Sequence, residues 1–428
     1  MDNVVIVEGL RTPYAKAWTA FNHIPAYDLG RIVTRELLEH TALEPEQLDE
    51  VIWGNVGQPV EAINISRIIA LKSGIPDAVP AYTVQRNCGS GLQALVNAVY
   101  QIRQGDAEII LAGGVESMSN FPLLYPKDYA DWLMKFQRAK TLLQKINLFK
   151  TFKLSFFKPI NSLQLGLTDY ICGMMMGETA ELLARTYHIT REEMDEYALM
   201  SHRRASAATT SGRFKAEIVP VPLPPQWNTF LETDNGIRHN QTLDALAKLP
   251  PVFDRKFGSV TAGNSSQITD GAAAMIVMSE KRAKQMGLKP LGRVKAFAFA
   301  GVDPAYMGIA PTYAIARVLQ KENLKSRDID LWEINEAFAA VVIANERLFA
   351  DRQFVEATFG DAELLEPLDR EKLNVNGGAI ALGHPVGSSA ARLVITLLKE
   401  MQRRDVQRGI AAMCIGGGQG GAVLVERL

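Results

Sequence analysis

The chain states one structural plan twice, and no other feature of its 428 residues constrains the fold so strongly. LEPEQLDEVIWGN and LKSRDIDLWEIN can be written one above the other. Ahead of the first, a segment beginning Asp28-Leu29-Gly30-Arg31 has apolar residues at 29, 32, 33, 37 and 38, the spacing of an amphipathic helix. Ahead of the second, Tyr313 to Leu319 begins a helix of the same kind. In each copy a polar turn then leads into a strand-like run, from about Val51 in the first and in IDLWEINEA in the second. The next unit also repeats. Cys88-Gly89-Ser90-Gly91 enters the periodic run Leu92, Leu95, Val96, Val99, Ile102, followed by EIILAGG. His384-Pro385-Val386-Gly387-Ser388-Ser389 enters Leu393, Val394, Leu397, Leu398, Met401, followed by GIAAMCIGGG. Short strands alternating with helices predict an α/β architecture with helix-covered sheets. Packing the two halves together brings Cys88, His384 and Cys414 to equivalent element ends, where sites form in such folds.

Residues 121 to about 251 have no counterpart in the duplicate. They hold a basic amphipathic stretch, a helical run around EEMDEYALMSHRRASAA and the Pro-rich connector VPVPLPP. This segment is expected to be an inserted loop domain that covers the substrate. FGSVTAGNSSQITDGAAAMIVMS returns to a strand pattern and should rejoin the first half's sheet. The expected division is a first half at 1–120 completed by 252–290, an insertion at 121–251, and a second half at 291–428. The length supports this, since it exceeds what one ordinary hydrophobic core fills.

Composition removes several classes of function. The net charge is −1, so nothing global points to nucleic acid or an acidic polymer. No stretch has the roughly 18 uncharged apolar residues of a membrane span. The N-terminus lacks the form of a secretory signal or transit segment, and the C-terminus carries no recognisable address, so a cytoplasmic location is expected. Cys88, Cys172 and Cys414 make a disulfide framework implausible, and no pair has zinc-ligand spacing, so no metal is expected. Widely spaced cysteines in an intracellular chain are instead candidates for catalysis.

Cys88 stands at a helix start, where partial positive charge and free N–H groups lower a thiol pKa and can hold an oxyanion. The alternative is a small buried core cysteine, and position alone leaves both open. His384 lies in GGAIALGHPVGSSAAR, again at a helix entrance, and a thiolate nucleophile needs such a base. Otherwise it merely caps the helix. Residues 416–421 match G-x-G-x-x-G, but only seven residues follow, so a dinucleotide site fails its context and a tight hairpin turn beside Cys414 is expected. Asn335 ends a strand and enters a helix; capping that helix is the favoured reading, orienting a water the other.

Taken in order, Asn87-Cys88-Gly89-Ser90-Gly91, Asn335-Glu336-Ala337-Phe338-Ala339, Gly383-His384-Pro385 and Cys414-Ile415-Gly416-Gly417-Gly418 resemble the four motif blocks of thiolases. RTPYAKAW, MGETAE at 176–181 and VTAGNSSQITDGAAA at 260–274 add to the likeness, which spans essentially the whole chain. The resemblance implies a five-layered αβαβα fold from two similar halves with an inserted loop domain. It implies that Cys88 is acylated, that His384 activates it, and that Cys414 is the acid/base at the α-carbon of acetyl-CoA. Asn335 would hold a water that forms one oxyanion hole with His384, and the N–H groups of Cys88 and Gly416 the other. Ser266, Met176 and Gly418 would lie along the substrate channel. Many biosynthetic members have a histidine just before this M-G-x-T-A-E block; here it is Met175, which leans toward a bulkier, degradative substrate.

The implied activity is thiolytic cleavage of 3-ketoacyl-CoA, with coenzyme A as co-substrate, no permanently bound cofactor, and at least a homodimer. Acetoacetyl-CoA formation by the same residues is the alternative. A decarboxylating ketoacyl synthase is more distant, having no need of a second cysteine, and so is a non-catalytic acyl-CoA-binding subunit, which would have lost a catalytic residue. Between Lys127 and Lys158, eight basic residues face two acidic ones, with apolar residues at helical spacing. This stretch is expected to be a lid on its own domain, or else to dock a hydratase/dehydrogenase subunit or an anionic membrane.

Overall fold

The computed structural model describes residues 3–428. In chain order its principal elements are β1 (Val4–Arg11), α1 (Ala26–Thr41), β2 (Glu50–Gly54), α2 (Ile65–Lys72), β3 (Ala81–Val84), α3 (Ser90–Gln104) and β4 (Ile109–Ser117). The intervening segment carries α4 (Lys127–Arg138), α5 (Leu142–Phe149), α6 (Met176–Thr186) and α7 (Arg191–Thr210). Then come β5 (Thr269–Ser279), β6 (Gly292–Gly301), α8 (Ala310–Glu322), β7 (Leu331–Ile334), α9 (Ala339–Ala350), α10 (Ser389–Arg404), β8 (Arg408–Ile415) and β9 (Gln419–Glu426).

The duplication is visible in strand order. One half runs β2-β4-β5-β1 and the other β7-β8-β9-β6, joined in the middle where β1 meets β6 through Val5 with Arg293 and Ile6 with Gly292. In each half the first two strands are parallel and the others antiparallel. Even β3, parallel to β2, has an echo: Leu373 bridges Trp332 in the same sense.

Five layers follow from the period of two along these strands, which sends neighbouring side chains to opposite faces. Val5 and Val7 pack with Leu29, Val33 and Leu37 of α1 in an outer core. Val4 and Ile6 pack instead with Leu95 and Val99 of α3 and Leu393 and Leu397 of α10. Strand β8 divides likewise: Ala411, Met413 and Ile415 join that middle layer, while Ile410, Ala412 and Cys414 face the other outer core, with Val318 of α8 and Val341 of α9. The central helices α3 and α10 are thus buried between the two halves of the sheet.

Close packing at the start of α3 depends on small residues. A methyl group on Gly54 would lie 2.3 Å from the Ser90 carbonyl carbon. One on Gly114 would lie 2.0 Å from the Gly387 carbonyl oxygen. Gly54→Ala is therefore expected to push α3 off the sheet and lower stability by about 1–3 kcal/mol, read from urea unfolding.

The basic stretch does not form one helix. Its periodicity breaks at 139–141, where Thr141 accepts from the Gln144 amide and Gln144 reaches back to the Thr141 N–H. That capping box starts α5 afresh and folds the stretch into a hairpin. Neither α4 nor α5 has a fully buried residue.

Candidate active site

Cys88 sits on a turn that the chain locks before α3 begins. Asn87 is left-handed, with φ 43°, an uncommon state for a non-glycine residue. Its side-chain amide donates to the Gly416 carbonyl over 2.8 Å, tying this turn to the one after β8. The Ser90 hydroxyl donates to the Asn87 carbonyl at 2.6 Å and accepts from the Arg86 N–H at 2.9 Å. Burial raises the Cys88 thiol above its ordinary pKa, although hydrogen bonds from the Gly416 and Cys88 N–H groups pull it back. This runs against the expectation from the helix start alone: desolvation outweighs the helix terminus and shifts the Cys88 thiol upward.

His384 follows a short turn of helix, Ala379–Leu382, and precedes α10 by five residues, so it caps neither. Its backbone N–H donates to the Gln267 carbonyl at 3.1 Å. Nδ1 lies 2.6 Å from Ser389 Oγ, and that hydroxyl donates to the Pro385 carbonyl at 3.1 Å. With its hydrogen so committed, Ser389 accepts from the ring. Nδ1 therefore carries the proton, and Nε2 keeps a lone pair for taking one. Asn335 Nδ2 lies 3.4 Å from Nε2.

Burial, with the nearby Arg392 guanidinium, pushes the imidazole down to about 3. An unfolded histidine titrates near 6.5, so over that interval the unfolded chain binds the additional proton. The stabilising contribution is complete above about 6.5 and lost as pH falls toward about 3. His384→Asn should accordingly flatten the dependence of Tm on pH across this window, measured by thermal unfolding.

Asn335 does not cap a helix. Helix α9 starts at Ala339, after Phe338, and Asn335 instead directly follows β7 with its side chain turned to His384. Its Oδ1 is buried and has no partner among the described residues, an acceptor left open toward a small polar group. Cys414 is buried at the end of β8; burial first, and the neighbouring Cys88 second, raise its thiol far above the ordinary value, so it stays protonated. The glycine run after it is the hairpin turn between β8 and β9.

Cys88, His384 and Cys414 meet in one cavity of about 380 Å³. Its walls are largely apolar, among them Met118, Met176, Phe253, Met307 and Phe338, with Lys16 and Arg238 as its cationic members. Ser266 lines it too, its N–H donating to the Ala337 carbonyl at 2.9 Å. Met176 lies close to Gly416, whose added methyl would stand 3.5 Å from the Met176 sulfur. Gly418 is placed elsewhere: it packs against Val302 and Pro304, its carbonyl accepting from the Val302 N–H at 2.7 Å, and it does not line the cavity. Cys172 also lies outside, its N–H on the Asp169 carboxylate. Three neighbours escaped the sequence reading. Ser389 was legible only as a helix start, and Gln267 and Arg238 sit in irregular segments with no periodicity to single them out.

Two family models cover this architecture, the thiolase N-terminal domain over residues 4–281 and the thiolase C-terminal domain over 288–427. The chain belongs to the thiolase family. It is 39% identical over 426 residues to the 3-ketoacyl-CoA thiolase of Aliivibrio fischeri strain MJ11, covering 99% of this chain and 96% of the relative. With the 3-ketoacyl-CoA thiolase of Yersinia enterocolitica the identity is 40%, over 99% and 97%. Among solved structures, the Bacillus anthracis acetyl-CoA acetyltransferase superposes with a TM-score of 0.87 at 39% identity, over 100% of this chain and 99% of the other. Human mitochondrial 3-ketoacyl-CoA thiolase in complex with CoA gives 0.86 at 37%, over 100% and 98%. This thiolase is accordingly an acyltransferase enzyme with the family's αβαβα fold, built from duplicated halves with an inserted loop domain.

Proposed function

We propose that this thiolase cleaves 3-ketoacyl-CoA with free coenzyme A, giving acetyl-CoA and a shortened acyl-CoA, as a degradative step of fatty-acid oxidation. The observation that carries the reading is the convergence of two thiols and one neutral imidazole on a single, largely apolar cavity. In the first half-reaction His384 Nε2 takes the Cys88 proton, and the thiolate adds to the 3-keto carbon. The C2–C3 bond breaks, and the Cys414 thiol gives its proton to the departing α-carbon of acetyl-CoA. In the second, Cys414 takes the proton of incoming coenzyme A, whose sulfur attacks the acyl carbon. Cys88 leaves as thiolate and recovers its proton from His384. The N–H groups of Cys88 and Gly416, both directed at the Cys88 sulfur, suit the thioester oxygen. The open Asn335 Oδ1 suits a water held beside His384. Ser266 and Met176 would flank the thioester arm, and Arg238 and Lys16 would meet its phosphates.

Steady-state kcat/KM across 3-ketoacyl-CoAs of increasing chain length tests the reading. A rise from short to long acyl chains supports it. Activity confined to the shortest substrate would favour acetoacetyl-CoA formation, the reading that likeness to the Bacillus anthracis acetyltransferase supports. Coenzyme A enters here as a co-substrate, and no permanently bound cofactor is required by these steps.

The proposal extends to partners. The half-buried strand β3 is an open sheet edge, which supports a homodimer. The α4–α5 hairpin has its own aromatic cluster, with Trp132 against Phe136, Phe149 and Phe152. Leu133, Met134, Leu142, Leu143 and Ile146 remain exposed beside a net charge of +6 over 127–158. That combination suits docking to an anionic membrane or a hydratase/dehydrogenase subunit better than a packed lid. Charge reversal at Lys135, Arg138 and Lys145 should weaken vesicle co-sedimentation or subunit pull-down, salt-sensitively, while thiolysis of a soluble short substrate stays intact. Equal loss of both would restore the lid. No helix among the described residues is long and apolar enough to cross a membrane, and a cytoplasmic location remains our reading.

A further inference from the structure

The segment that carries His384 is held at both ends by buried carboxylates that the mechanism above does not use. Glu116, on β4 of the first half, is fully buried and accepts four hydrogen bonds from neutral donors. Asn55 Nδ2 and the Gly57 N–H reach Oε1 at 3.0 and 2.9 Å; the Val56 N–H and the Gly387 N–H reach Oε2 at 3.1 and 3.0 Å. Glu336, next to Asn335 in the second half, is fully buried as well. It accepts from Tyr197 Oη at 3.1 Å, Asn374 Nδ2 at 3.0 Å, Ser201 Oγ at 2.6 Å and the Ile380 N–H at 3.2 Å.

The two attachments bracket the histidine, Ile380 four residues before it and Gly387 three after. The backbone leaves room for each carboxylate. A methyl on Gly378 would lie 2.4 Å from the Glu336 carboxyl carbon, and one on Gly387 would lie 2.9 Å from Glu116 Oε2. A buried carboxylate without an ion-pair partner is costly unless its acceptors are filled. Stability alone would be served as well by an apolar pair, so the retention of two such groups on one segment points to placement of that segment.

We propose that Glu116 and Glu336 are positioning residues, one from each half, that together hold the His384 segment so that Nε2 is aligned with the Cys88 thiol. The proposal rests on the reading of His384 as the base for Cys88. Misplacing a catalytic group by about 1 Å costs on the order of a hundredfold in rate. Glutamine at 116 would turn an NH₂ toward one pair of N–H donors, and at 336 toward one hydroxyl and one N–H, in either case loosening one end of the segment.

The experiment is the rate of Cys88 alkylation by iodoacetamide as a function of pH, in the full chain, for Glu116→Gln, Glu336→Gln, the double variant and His384→Asn. Positioning predicts that each glutamine variant slows alkylation near neutral pH by about tenfold or more and shifts the profile upward, with the KM for coenzyme A within about twofold. The double variant should be little worse than the poorer single one, because both act through one element. A purely electrostatic role gives the opposite sign for Glu116. Its charge raises the Cys88 thiol, so losing it would speed alkylation and move the profile down, which would overturn the proposal. Native alkylation in both variants would overturn it too. If Glu336→Gln does not fold, Ser201→Ala removes one donor from the same carboxylate and should give a smaller shift in the same direction; no shift counts against the clamp. Should His384→Asn itself leave alkylation unchanged, the base assignment fails instead, independently of the clamp.

Discussion

Incubation with a 3-ketoacyl-CoA in the absence of free coenzyme A is expected to leave an acyl group on Cys88, detected as added mass on the peptide that contains it. Cys88→Ala should remove that adduct and lower kcat/KM by about four orders of magnitude or more, because no other group can take over nucleophilic catalysis. The size of the effect follows from the site. The Cys88 turn is locked by Asn87 and Ser90, its sulfur faces two backbone N–H groups, and Cys414 is buried with a thiol raised still further. Of the two cysteines that line the cavity, only Cys88 is therefore expected to take the acyl group, Cys414 being buried. Label on Cys172 or Cys414 with Cys88 unmodified would sink the assignment.

Cys414→Ser should separate the two half-reactions. A serine hydroxyl is a far weaker acid than a thiol, so proton exchange at the α-carbon of acetyl-CoA and steady-state thiolysis are expected to fall by about 10²–10⁴-fold. Acylation of Cys88 by a reactive alkylating thioester needs no proton at that carbon and should fall much less. The substitution is nearly isosteric within a well-packed strand end, so a folding defect is not expected to mimic the result. If Cys414→Ser kept near-normal thiolysis, a structural role for the residue would be preferred.

Both expectations start from motifs legible in the chain, for a physical reason. The Cys88 turn, the G-H-P loop and the glycine hairpin after Cys414 are local backbone devices, each needing particular residues within a few positions. The duplicated plan was legible for a similar reason: helical and strand periodicities record which face of each element is buried, and both halves bury the same faces. Where the sequence reading failed, a distant group decided. Asn335 has the residue type of a cap, but the helix begins at Ala339, and the side chain meets a histidine 49 positions away. Gly418 belongs to the right motif, yet tertiary packing turns it toward Val302 and Pro304.

The sequence by itself determined the two-half α/β plan and the inserted segment, and it singled out the two thiols and the imidazole that the fold brings to one cavity, since these depend on residue type and short-range spacing. Only the tertiary structure decided the direction in which the Cys88 thiol is shifted. A helix start lowers a thiol pKa, and burial between layers raises it; which prevails depends on how much water the surrounding elements exclude. The structure alone also decided what holds His384, because Glu116 and Gly387 lie 271 positions apart and meet only when the two halves pack. The hairpin in the basic stretch is an intermediate case. Its cap at Thr141 and Gln144 is written locally, but that its apolar side stays uncovered is a property of the folded surface, which no local pattern encodes.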